Sequence, residues 1–403
     1  MALQTGSRTS GSGGTSGGGN GVIRAMVVDD SAVVRGLITR ILEGDPEITV
    51  VASVANGQVA LNQLDRETID VVVLDIEMPV MDGLTALPEM LKKKPGLTVI
   101  MASTLTKKNA DISMRALSAG AADYVPKPST SKEISGGMDF KQTLVEKVKA
   151  LTKSRGGGGA GGGAPARASG GTGAAARQGT GGGAAAGRQA GGKPAASAAG
   201  SGEITLREAP RETPEIVVIG SSTGGPQALF KMLGALGGPL KQPILITQHM
   251  PPTFTTILAD HVTRAARTQA VEARDKQVIE GGNIYIAPGD FHMLVEASGG
   301  QKVLRLDKSA PENFCRPAVD PMLRSVTKAY GNKVLAVILT GMGNDGLKGC
   351  QEVVKAGGHV IAQDEASSVV WGMPAAVAQA GLCSAVLPIQ EIASYIKKTA
   401  TRR

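Results

Sequence analysis

The sequence is poor in aromatic residues and in cysteine. It contains one Trp, four Tyr, five Phe and three Cys among 403 residues. So few aromatic rings provide no stacking platform for single-stranded nucleic acid. Cys315, Cys350 and Cys383 are too widely separated for a zinc-ligand spacing, and three cysteines form no disulfide framework. We interpret them as ordinary thiols of a protein from a reducing compartment.

Long apolar runs and a strongly basic domain are also missing. No uninterrupted run of 18 apolar residues is present, and the N-terminus has no signal-peptide pattern. The net charge is +8, of which residues 154–202 carry +5, whereas residues 21–153 carry −1 and residues 203–403 carry +3. Neither of the larger blocks has the basic surplus that binding to a phosphate backbone requires. We therefore expect a cytoplasmic protein that binds no nucleic acid and is not embedded in a membrane.

Glycine is abundant, and it is concentrated in two stretches. Of the 55 glycines, 26 fall within residues 1–20 and 156–202. The second stretch has no Val, Ile, Leu, Phe, Asp or Glu, so it cannot bury enough apolar area to offset the entropy of the chain. The predicted organisation is a disordered extension, a first domain, a flexible linker and a second domain, at residues 1–20, 21–150, 151–213 and 214–403.

Both predicted domains alternate short apolar strands with helical patterns. In the first domain the alternation gives five strands. In the second domain, residues 216–219, 244–247 and 334–339 are apolar strands that each run into a turn. Strands that alternate with helices form parallel sheets. The predicted fold class is therefore α/β, with two doubly wound, Rossmann-like parallel-sheet domains joined by a disordered Gly/Ala-rich linker.

Carboxylates follow the strands of the first domain. Asp29 and Asp30 come after the first strand and Asp75 after the third, so their side chains should meet at one edge of the sheet. Three carboxylates repel one another unless a cation neutralises them. Mg²⁺ prefers oxygen ligands and leaves positions open for phosphate oxygens, and Lys127 adds a positive charge. Each Asp alone could instead cap a helix or end a strand in a turn.

Three motifs give the first domain its resemblance to response-regulator receiver domains. They are Met-Val-Val-Asp-Asp-Ser at residues 26–31, Leu-Asp-Ile-Glu-Met-Pro at residues 74–79 and Tyr-Val-Pro-Lys-Pro at residues 124–128. The resemblance implies that Asp75 is phosphorylated and that Ser103 and Lys127 sense the phosphoryl oxygens. The residues it implies as Mg²⁺ ligands are Asp29, Asp30, Asp75 and, through its backbone carbonyl, Glu77.

In the second domain a serine, a histidine and an aspartate each follow a predicted parallel strand. Ser222 lies in the turn Gly-Ser-Ser-Thr-Gly-Gly-Pro, His249 in Gln-His-Met-Pro-Pro, and Asp345 in Gly-Met-Gly-Asn-Asp-Gly. A hydroxyl is a poor nucleophile until a base removes its proton, imidazole is such a base, and a carboxylate fixes its tautomer. We predict these three as nucleophile, base and orienting carboxylate.

Each of the three residues also has an ordinary structural interpretation. Ser222 could cap a helix, His249 could make a structural hydrogen bond, and Asp345 could be a turn residue. A glycine-rich turn before a helix can also bind phosphate, but this turn has no Lys and no G-x-G-x-x-G spacing. The alternative function is a non-enzymatic response regulator whose second domain binds a nucleotide or a protein partner. The chain order Ser, His, Asp argues against an α/β-hydrolase.

The three turns, together with residues 284–292 and 371–374, make the second domain similar to the catalytic domain of chemotaxis receptor protein-glutamate methylesterases. The resemblance implies hydrolysis of γ-methyl glutamyl esters on methyl-accepting chemotaxis receptors, with release of methanol, and deamidation of receptor glutamines. It also implies phosphorylation by a chemotaxis histidine kinase, recruitment to receptor clusters at the inner membrane, and no cofactor in the catalytic domain.

Two further features of the second domain are predicted. The backbone N–H groups of Thr223 and Met342 are the candidate donors to the developing oxyanion. The turn at residues 311–317 either lines the cleft or is a structural turn. The resemblance further implies that the unphosphorylated receiver covers the cleft at Ser222 and that phosphorylation releases it.

Overall fold

The computed structural model describes residues 21–127, 138–156 and 204–401. The described chain forms two parallel-sheet α/β domains, which confirms the predicted fold class. The predicted N-terminal extension and residues 157–203 of the predicted linker lie outside the described residues. Within the described residues, no helix is both long enough and apolar enough to span a membrane.

The first domain is built on a five-stranded sheet in the order β2-β1-β3-β4-β5, with every neighbouring pair parallel. Its strands are β1 (Ile23–Val28), β2 (Ile48–Val54), β3 (Val71–Asp75), β4 (Thr98–Ser103) and β5 (Asp123–Pro126). Because β1 lies between β2 and β3, the connections leave it in opposite directions across the sheet. Ligands bind at such a switch point, beyond the carboxyl ends of the strands, and Asp29 and Asp75 lie there.

Five described helices cover the two faces of this sheet. They are α1 (Ala32–Glu43), α2 (Gly57–Gln63), α3 (Gly83–Lys93), α4 (Lys107–Ser118) and α5 (Met138–Gly156). The first four begin at a polar N-cap whose side chain accepts from the backbone three residues on, as Asp82 does from Thr85 N at 2.7 Å. Apolar residues of α1 and α5 cover one face of the sheet, and those of α2, α3 and α4 cover the other.

The second domain has a seven-stranded parallel sheet in the order β14-β13-β12-β6-β7-β9-β8 and a separate antiparallel hairpin, β10-β11. The strands are β6 (Ile216–Ser221), β7 (Ile244–Gln248), β8 (Ala270–Glu272), β9 (Ile284–Ile286), β10 (His292–Ser298), β11 (Gln301–Asp307), β12 (Val334–Ile338), β13 (His359–Gln363) and β14 (Ala385–Leu387). The strands β12, β6 and β7 are adjacent and parallel, so the three turns that follow them open on the same edge.

Six helices cover this second sheet. They are α6 (Gly225–Leu236), α7 (Phe254–Ala266), α8 (Val319–Tyr330), α9 (Leu347–Lys355), α10 (Met373–Gln379) and α11 (Ile389–Ala400). Buried side chains of α6, α7 and α11 pack on one face, and those of α8, α9 and α10 on the other. The helices α6 and α7 start directly after the turns that carry Ser222 and His249, so these turns are anchored in the apolar core at both ends.

One contact between the two domains joins α4 and β5 of the first to α6 and α7 of the second. The Tyr124 and Phe254 rings stack with centroids 4.6 Å apart, an arrangement worth about 0.5–1.5 kcal/mol beyond the buried area. The polar contacts are the Gln227 amide with the carbonyl oxygens of Leu117 and Ala121, and the His261 ring with the Asp111 carboxylate.

Ordered structure extends into both ends of the segment predicted as a linker. Residues 151–156 continue α5. Residues 204–213 run along the second domain, where Arg207 N donates to Cys383 O at 2.8 Å and the His359 ring contacts Pro210 O at 2.7 Å. The domain boundaries given above stay predictions.

Candidate active site and carboxylate cluster

The turn after β6 holds Ser222 against the neighbouring turns. Ser222 N donates to Thr340 O at 3.0 Å, and Ser222 O accepts from Gln248 Nε2 at 2.9 Å. A Cβ on Gly341 would lie 2.9 Å from Ser222 Cβ, and one on Gly225 would lie 2.0 Å from Gln248 Oε1. Only glycine fits at these two positions, which explains why the turns on this edge contain so much of it.

His249 and Asp345 form a close side-chain pair at this site. His249 Nε2 lies 2.7 Å from Asp345 Oδ2, and both side chains are largely shielded from solvent. Asp345 also accepts four further hydrogen bonds, from Val319 N, Asp320 N, Gly346 N and Asn313 Nδ2. With so many donors on its two oxygens, the carboxylate is fixed in one orientation and aims the imidazole.

The structure brings Ser222 to the same edge of the sheet, but not into a hydrogen bond with His249. Because Asp345 accepts from Nε2, the network assigns the neutral imidazole a proton on Nε2 and a lone pair on Nδ1. The neighbour of Nδ1 is Cys315, whose Sγ lies 3.3 Å away. In the part of the chain that the structure describes, Ser222 Oγ has no hydrogen-bond partner within 3.5 Å.

Charges around this pair shift the pKa values of both partners. Burial lowers the pKa of His249, but the negative charges and hydrogen bonds of Cys315 and Asp345 outweigh it and raise that pKa to about 10. Burial likewise raises the pKa of Asp345, yet His249 and the backbone N–H groups of Val319 and Asp320 hold it below its usual range. Asp345 therefore stays ionised at neutral pH.

Sequence reasoning missed Asn313, Cys315 and Asp320 as neighbours of this site. Asn313 Nδ2 donates to Asp345 Oδ1 at 2.8 Å and to Asp320 Oδ2 at 3.0 Å, and thus joins the two carboxylates. The predicted alternative of a cleft-lining turn at residues 311–317 agrees with these contacts. No spacing rule marks the three residues in the sequence, because a tight turn and the start of α8, both far along the chain, bring them to the His249–Asp345 pair.

The two candidate oxyanion donors are both available. Among the described residues, neither Thr223 N nor Met342 N donates a hydrogen bond. Thr223 directly follows Ser222, and Met342 directly follows Gly341, which contacts Ser222. The Met342 side chain packs against the core of the first domain beside α1 and α5, so the second turn is also in contact with that domain.

In the first domain, the carboxylates meet as predicted. Asp29, Asp30 and Asp75 each place an oxygen within 4.8 Å of the other two. Lys127 Nζ lies 2.6 Å from both Asp29 Oδ2 and Asp75 Oδ1. Burial raises the pKa of Asp75, and the charge of Asp29 adds to this, while Lys127 acts in the opposite direction. The cluster thus offers one exposed and two buried oxygen ligands beside a cation.

Two other predicted residues of this domain lie near the cluster with their side chains turned elsewhere. Ser103 is buried at the end of β4, and its hydroxyl donates to Thr104 O at 3.2 Å. The Glu77 side chain pairs with Lys108 at 2.7 Å on the surface. The role predicted for Glu77 belongs to its backbone carbonyl, so this surface pair does not oppose it.

The fold and these sites define a class of protein. A parallel-sheet domain with a lysine-paired aspartate cluster precedes a domain in which a serine and a His-Asp pair share one sheet edge, as in serine hydrolases. Family models match both parts, the response regulator receiver domain at residues 25–137 and the CheB methylesterase at residues 217–396.

Relatives agree along nearly the whole chain. It is 59% identical over 382 residues to protein-glutamate methylesterase/protein-glutamine glutaminase 1 of Paramagnetospirillum magneticum, covering 94% of this chain and 97% of the relative. It is also 59% identical over 391 residues to the enzyme of the same name from the group 2 operon of Rhodospirillum centenum, covering 96% of each. The chain belongs to the protein-glutamate methylesterase/protein-glutamine glutaminase family.

A solved structure is similar to the second domain. The crystal structure of the Thermotoga maritima CheB methylesterase catalytic domain shares 43% identity and a TM-score of 0.45, covering 46% of this chain and 99% of that one. The family resemblance indicated by the motifs is confirmed, and so is the enzyme class. The non-enzymatic alternative is not favoured.

Proposed function

We propose that this protein is a phosphorylation-activated chemotaxis response regulator that hydrolyses γ-methyl glutamyl esters on methyl-accepting chemotaxis receptors and deamidates receptor glutamines. The observation that carries the proposal is the His249–Asp345 pair at 2.7 Å, on the sheet edge that also carries Ser222. The family of the relatives supports the reaction class. The receiver-type cluster at Asp75 supports control by phosphorylation.

The proposed hydrolysis uses Ser222 as nucleophile. Ser222 Oγ attacks the ester carbonyl while His249 Nδ1 takes its proton, and Asp345 holds Nε2 and stabilises the imidazolium. The N–H groups of Thr223 and Met342 donate to the oxyanion. His249 then returns the proton to the methoxide oxygen, so methanol leaves and an acyl-serine remains. Water, deprotonated by His249, cleaves this ester to the glutamate and Ser222. A glutamine side chain follows the same steps with ammonia leaving.

The proposed phosphorylation places the phosphoryl group of a kinase phosphohistidine on an oxygen of Asp75. The residues that would hold Mg²⁺ are Asp29, Asp30, Asp75 and the carbonyl of Glu77, and three clustered carboxylates with open oxygens fit this hard cation. When bound, the ion neutralises phosphoryl oxygens. Lys127 exchanges its Asp75 contact for one of these oxygens, and the Ser103 hydroxyl donates to another.

The proposed regulation couples this event to the second domain through α4. The Ser103 hydroxyl lies 3.5 Å from Asn109 O in the first turn of α4, and α4 contacts α6 and α7. Those helices begin at the turns of Ser222 and His249. When Ser103 turns toward the phosphoryl group, this contact breaks, and α4 and the Tyr124 ring shift against Phe254. The receiver then releases the cleft and receptor helices reach Ser222.

Replacing the phosphoacceptor tests this coupling. We expect Asp75→Asn to keep the basal rate of methanol release from methylated receptor membranes and to lose all stimulation by active kinase, because the amide accepts no phosphoryl group. The measurement compares rates with and without kinase and ATP. Chelation of Mg²⁺ by EDTA should abolish the kinase-dependent stimulation of the wild-type chain and leave the rate of Asp75→Asn unchanged. Kinase-dependent stimulation of Asp75→Asn would rule out Asp75 as the acceptor.

Weakening the domain contact tests the docked arrangement. Gln227→Ala removes the amide that donates to Leu117 O and Ala121 O. A partly buried hydrogen bond contributes about 0.5–1.5 kcal/mol, so we expect basal activity without kinase to rise about two- to tenfold while fully stimulated activity stays the same. Gln242→Ala is the matched control, because its amide bonds Pro214 O and Ala400 O within the second domain. Equal basal rates in both variants would contradict docking at this surface.

The proposed partners are the receptors as substrates and a chemotaxis histidine kinase as phosphodonor. The substrate group sits on a receptor helix, so the enzyme works where receptors cluster at the inner membrane. This placement follows from the substrate, and the family of the relatives supports it.

A further inference from the structure

The Cys315 thiol contacts Nδ1 of His249, the nitrogen that must accept the serine proton in the proposed hydrolysis. Cys315 Sγ lies 3.3 Å from Nδ1, and Asp345 holds Nε2 at 2.7 Å. Imidazole has only these two nitrogens, so Nδ1 is the one left to receive the proton of Ser222. In the described residues its hydrogen-bond partner is the thiol and not the serine.

The position of Cys315 is fixed by the same network that fixes Asp345. Glu312 N donates to Cys315 O at 3.1 Å, and Cys315 N donates to Glu312 O at 2.9 Å, which closes a two-residue turn. Its central residues, Asn313 and Phe314, have φ of 51° and 63°, a conformation costly for residues other than glycine. The bond of Asn313 to Asp345 holds this turn in place at 2.8 Å, so the thiol cannot drift from the imidazole.

We propose that Cys315 and Ser222 share Nδ1 of His249: the thiol holds this nitrogen in the structure described here, and hydrolysis starts when Ser222 Oγ takes its place. The inference rests on the proposed function, in which Ser222 is the nucleophile. In the resting site, one proton is shared between Sγ and Nδ1, and this proton returns to Sγ when Ser222 Oγ replaces the thiol, so that Nδ1 can accept the serine proton. Cys315 is thus a positioning residue that orients the imidazole and restrains it as a base.

The charges around His249 put this shared proton on the imidazole. Negative charge on Cys315 and Asp345 raises the pKa of His249, and both partners contribute through hydrogen bonds as well. A thiol whose proton passes to a neighbouring imidazole becomes a thiolate, which is the nucleophilic form of cysteine. Cys350 and Cys383 are fully buried, and burial raises the pKa of both thiols, so they provide internal controls within the same chain.

Alkylation by iodoacetamide measures this proton sharing without any esterase assay. The sulfur attacks the methylene carbon, an S–C bond forms, iodide leaves, and the proton stays on His249. An ordinary thiol is only about 1% thiolate at pH 6.5, so we expect Cys315 of the full-length chain to react at least about tenfold faster than N-acetylcysteine at that pH. Mass spectrometry of peptides gives the rate at each cysteine, and Cys350 and Cys383 should remain unmodified.

Removal of the imidazole gives the decisive comparison. His249→Gln should slow alkylation of Cys315 by about tenfold or more at pH 6.5, because the proton acceptor is lost. A slowing of less than about threefold, or a wild-type rate no faster than that of N-acetylcysteine, would overturn the proposal. Should His249→Gln fail to fold, the pH dependence of wild-type alkylation decides: a nearly flat rate between pH 6 and 8 supports sharing, and a tenfold rise per pH unit contradicts it.

The pH profile of hydrolysis provides a second readout, because it would not change if Cys315 only filled space beside His249. Cys315→Ala removes a group that helps to raise the pKa of His249, so the imidazole loses its proton at lower pH, and the acidic limb of kcat/KM should move down by about one pH unit. Cys315→Ser, which cannot ionise in this range, should move in the same direction. If the acidic limb of kcat/KM stayed at the wild-type pH in both variants, the proposal would be overturned. If Ser222→Ala kept its activity, the proposed function would fail while the alkylation result would still stand.

Discussion

Ser222→Ala is expected to reduce methanol release from methylated receptor membranes by at least about 10⁴-fold, because the neighbouring Ser221 and Thr340 hydroxyls already donate to Gln248 Oε1 and Thr223 O. The fall should appear in kcat more than in KM, since a receptor helix contacts far more of the surface than one hydroxyl. Radiolabelled methanol released from methyl-labelled receptors gives the rate directly.

Two controls make the Ser222→Ala result specific. The neighbouring Ser221→Ala variant removes a buried hydroxyl that donates to Gln248 Oε1 at 2.7 Å, and it should cost far less activity. The Ser222→Ala protein should still be phosphorylated at Asp75, which shows that its first domain is folded. Near-normal hydrolysis by this variant would exclude Ser222 as the nucleophile and would point to Cys315.

Asp345→Asn is expected to lower kcat by about 10⁴-fold, because the amide no longer holds the imidazole in the tautomer that has its proton on Nε2. The carboxylate accepts five hydrogen bonds, and an amide in its place presents a donor where an acceptor is needed. If the amide oxygen stays toward Val319 N and His249, its NH₂ group faces donors on the other side. Either orientation loosens the imidazole, so hydrolysis of receptor esters should fall while circular dichroism confirms the fold.

Asp320→Asn is the matched control for this carboxylate. Asp320 shares Asn313 with Asp345 and accepts from Gly349 N at 2.6 Å, but it does not contact His249. We expect it to lose some stability and to keep within about tenfold of the wild-type kcat, because the imidazole retains its partner. Equal losses in the two variants would mean that Asp345 acts through the turn structure and not through His249.

Much of this site was predictable because parallel strands end at one edge. The three turns of the second domain follow β6, β7 and β12, and their convergence needs only that these strands be neighbours in the sheet. The same reasoning placed Asp29 and Asp75 together at the ends of β1 and β3. Hydrophobic strand patterns can be recognised locally in the sequence. In a parallel sheet, the residues that follow such strands lie together at the edge formed by the carboxyl ends of the strands.

The neighbours of His249 were not predictable by this reasoning. Cys315 reaches Nδ1 from a turn whose residues Asn313 and Phe314 both adopt positive φ, although neither is glycine. Such a conformation persists only because tertiary hydrogen bonds hold it, and those bonds have no local sequence signal. His261 of α7 likewise pairs with Asp111 of the other domain at 2.9 Å, a contact that no local pattern signals. Contacts between domains are invisible to patterns that are read within each one.

The most direct test of the central claim is the rate of methanol release by the full-length wild-type chain before and after phosphorylation of Asp75. Methylated receptor membranes, Mg²⁺ and active kinase are supplied together, and the phosphorylated fraction is measured in the same sample. We predict a low rate that rises in proportion to the phosphorylated fraction and disappears in Ser222→Ala. A rate independent of that fraction, or methanol release that survives in Ser222→Ala, would contradict the account.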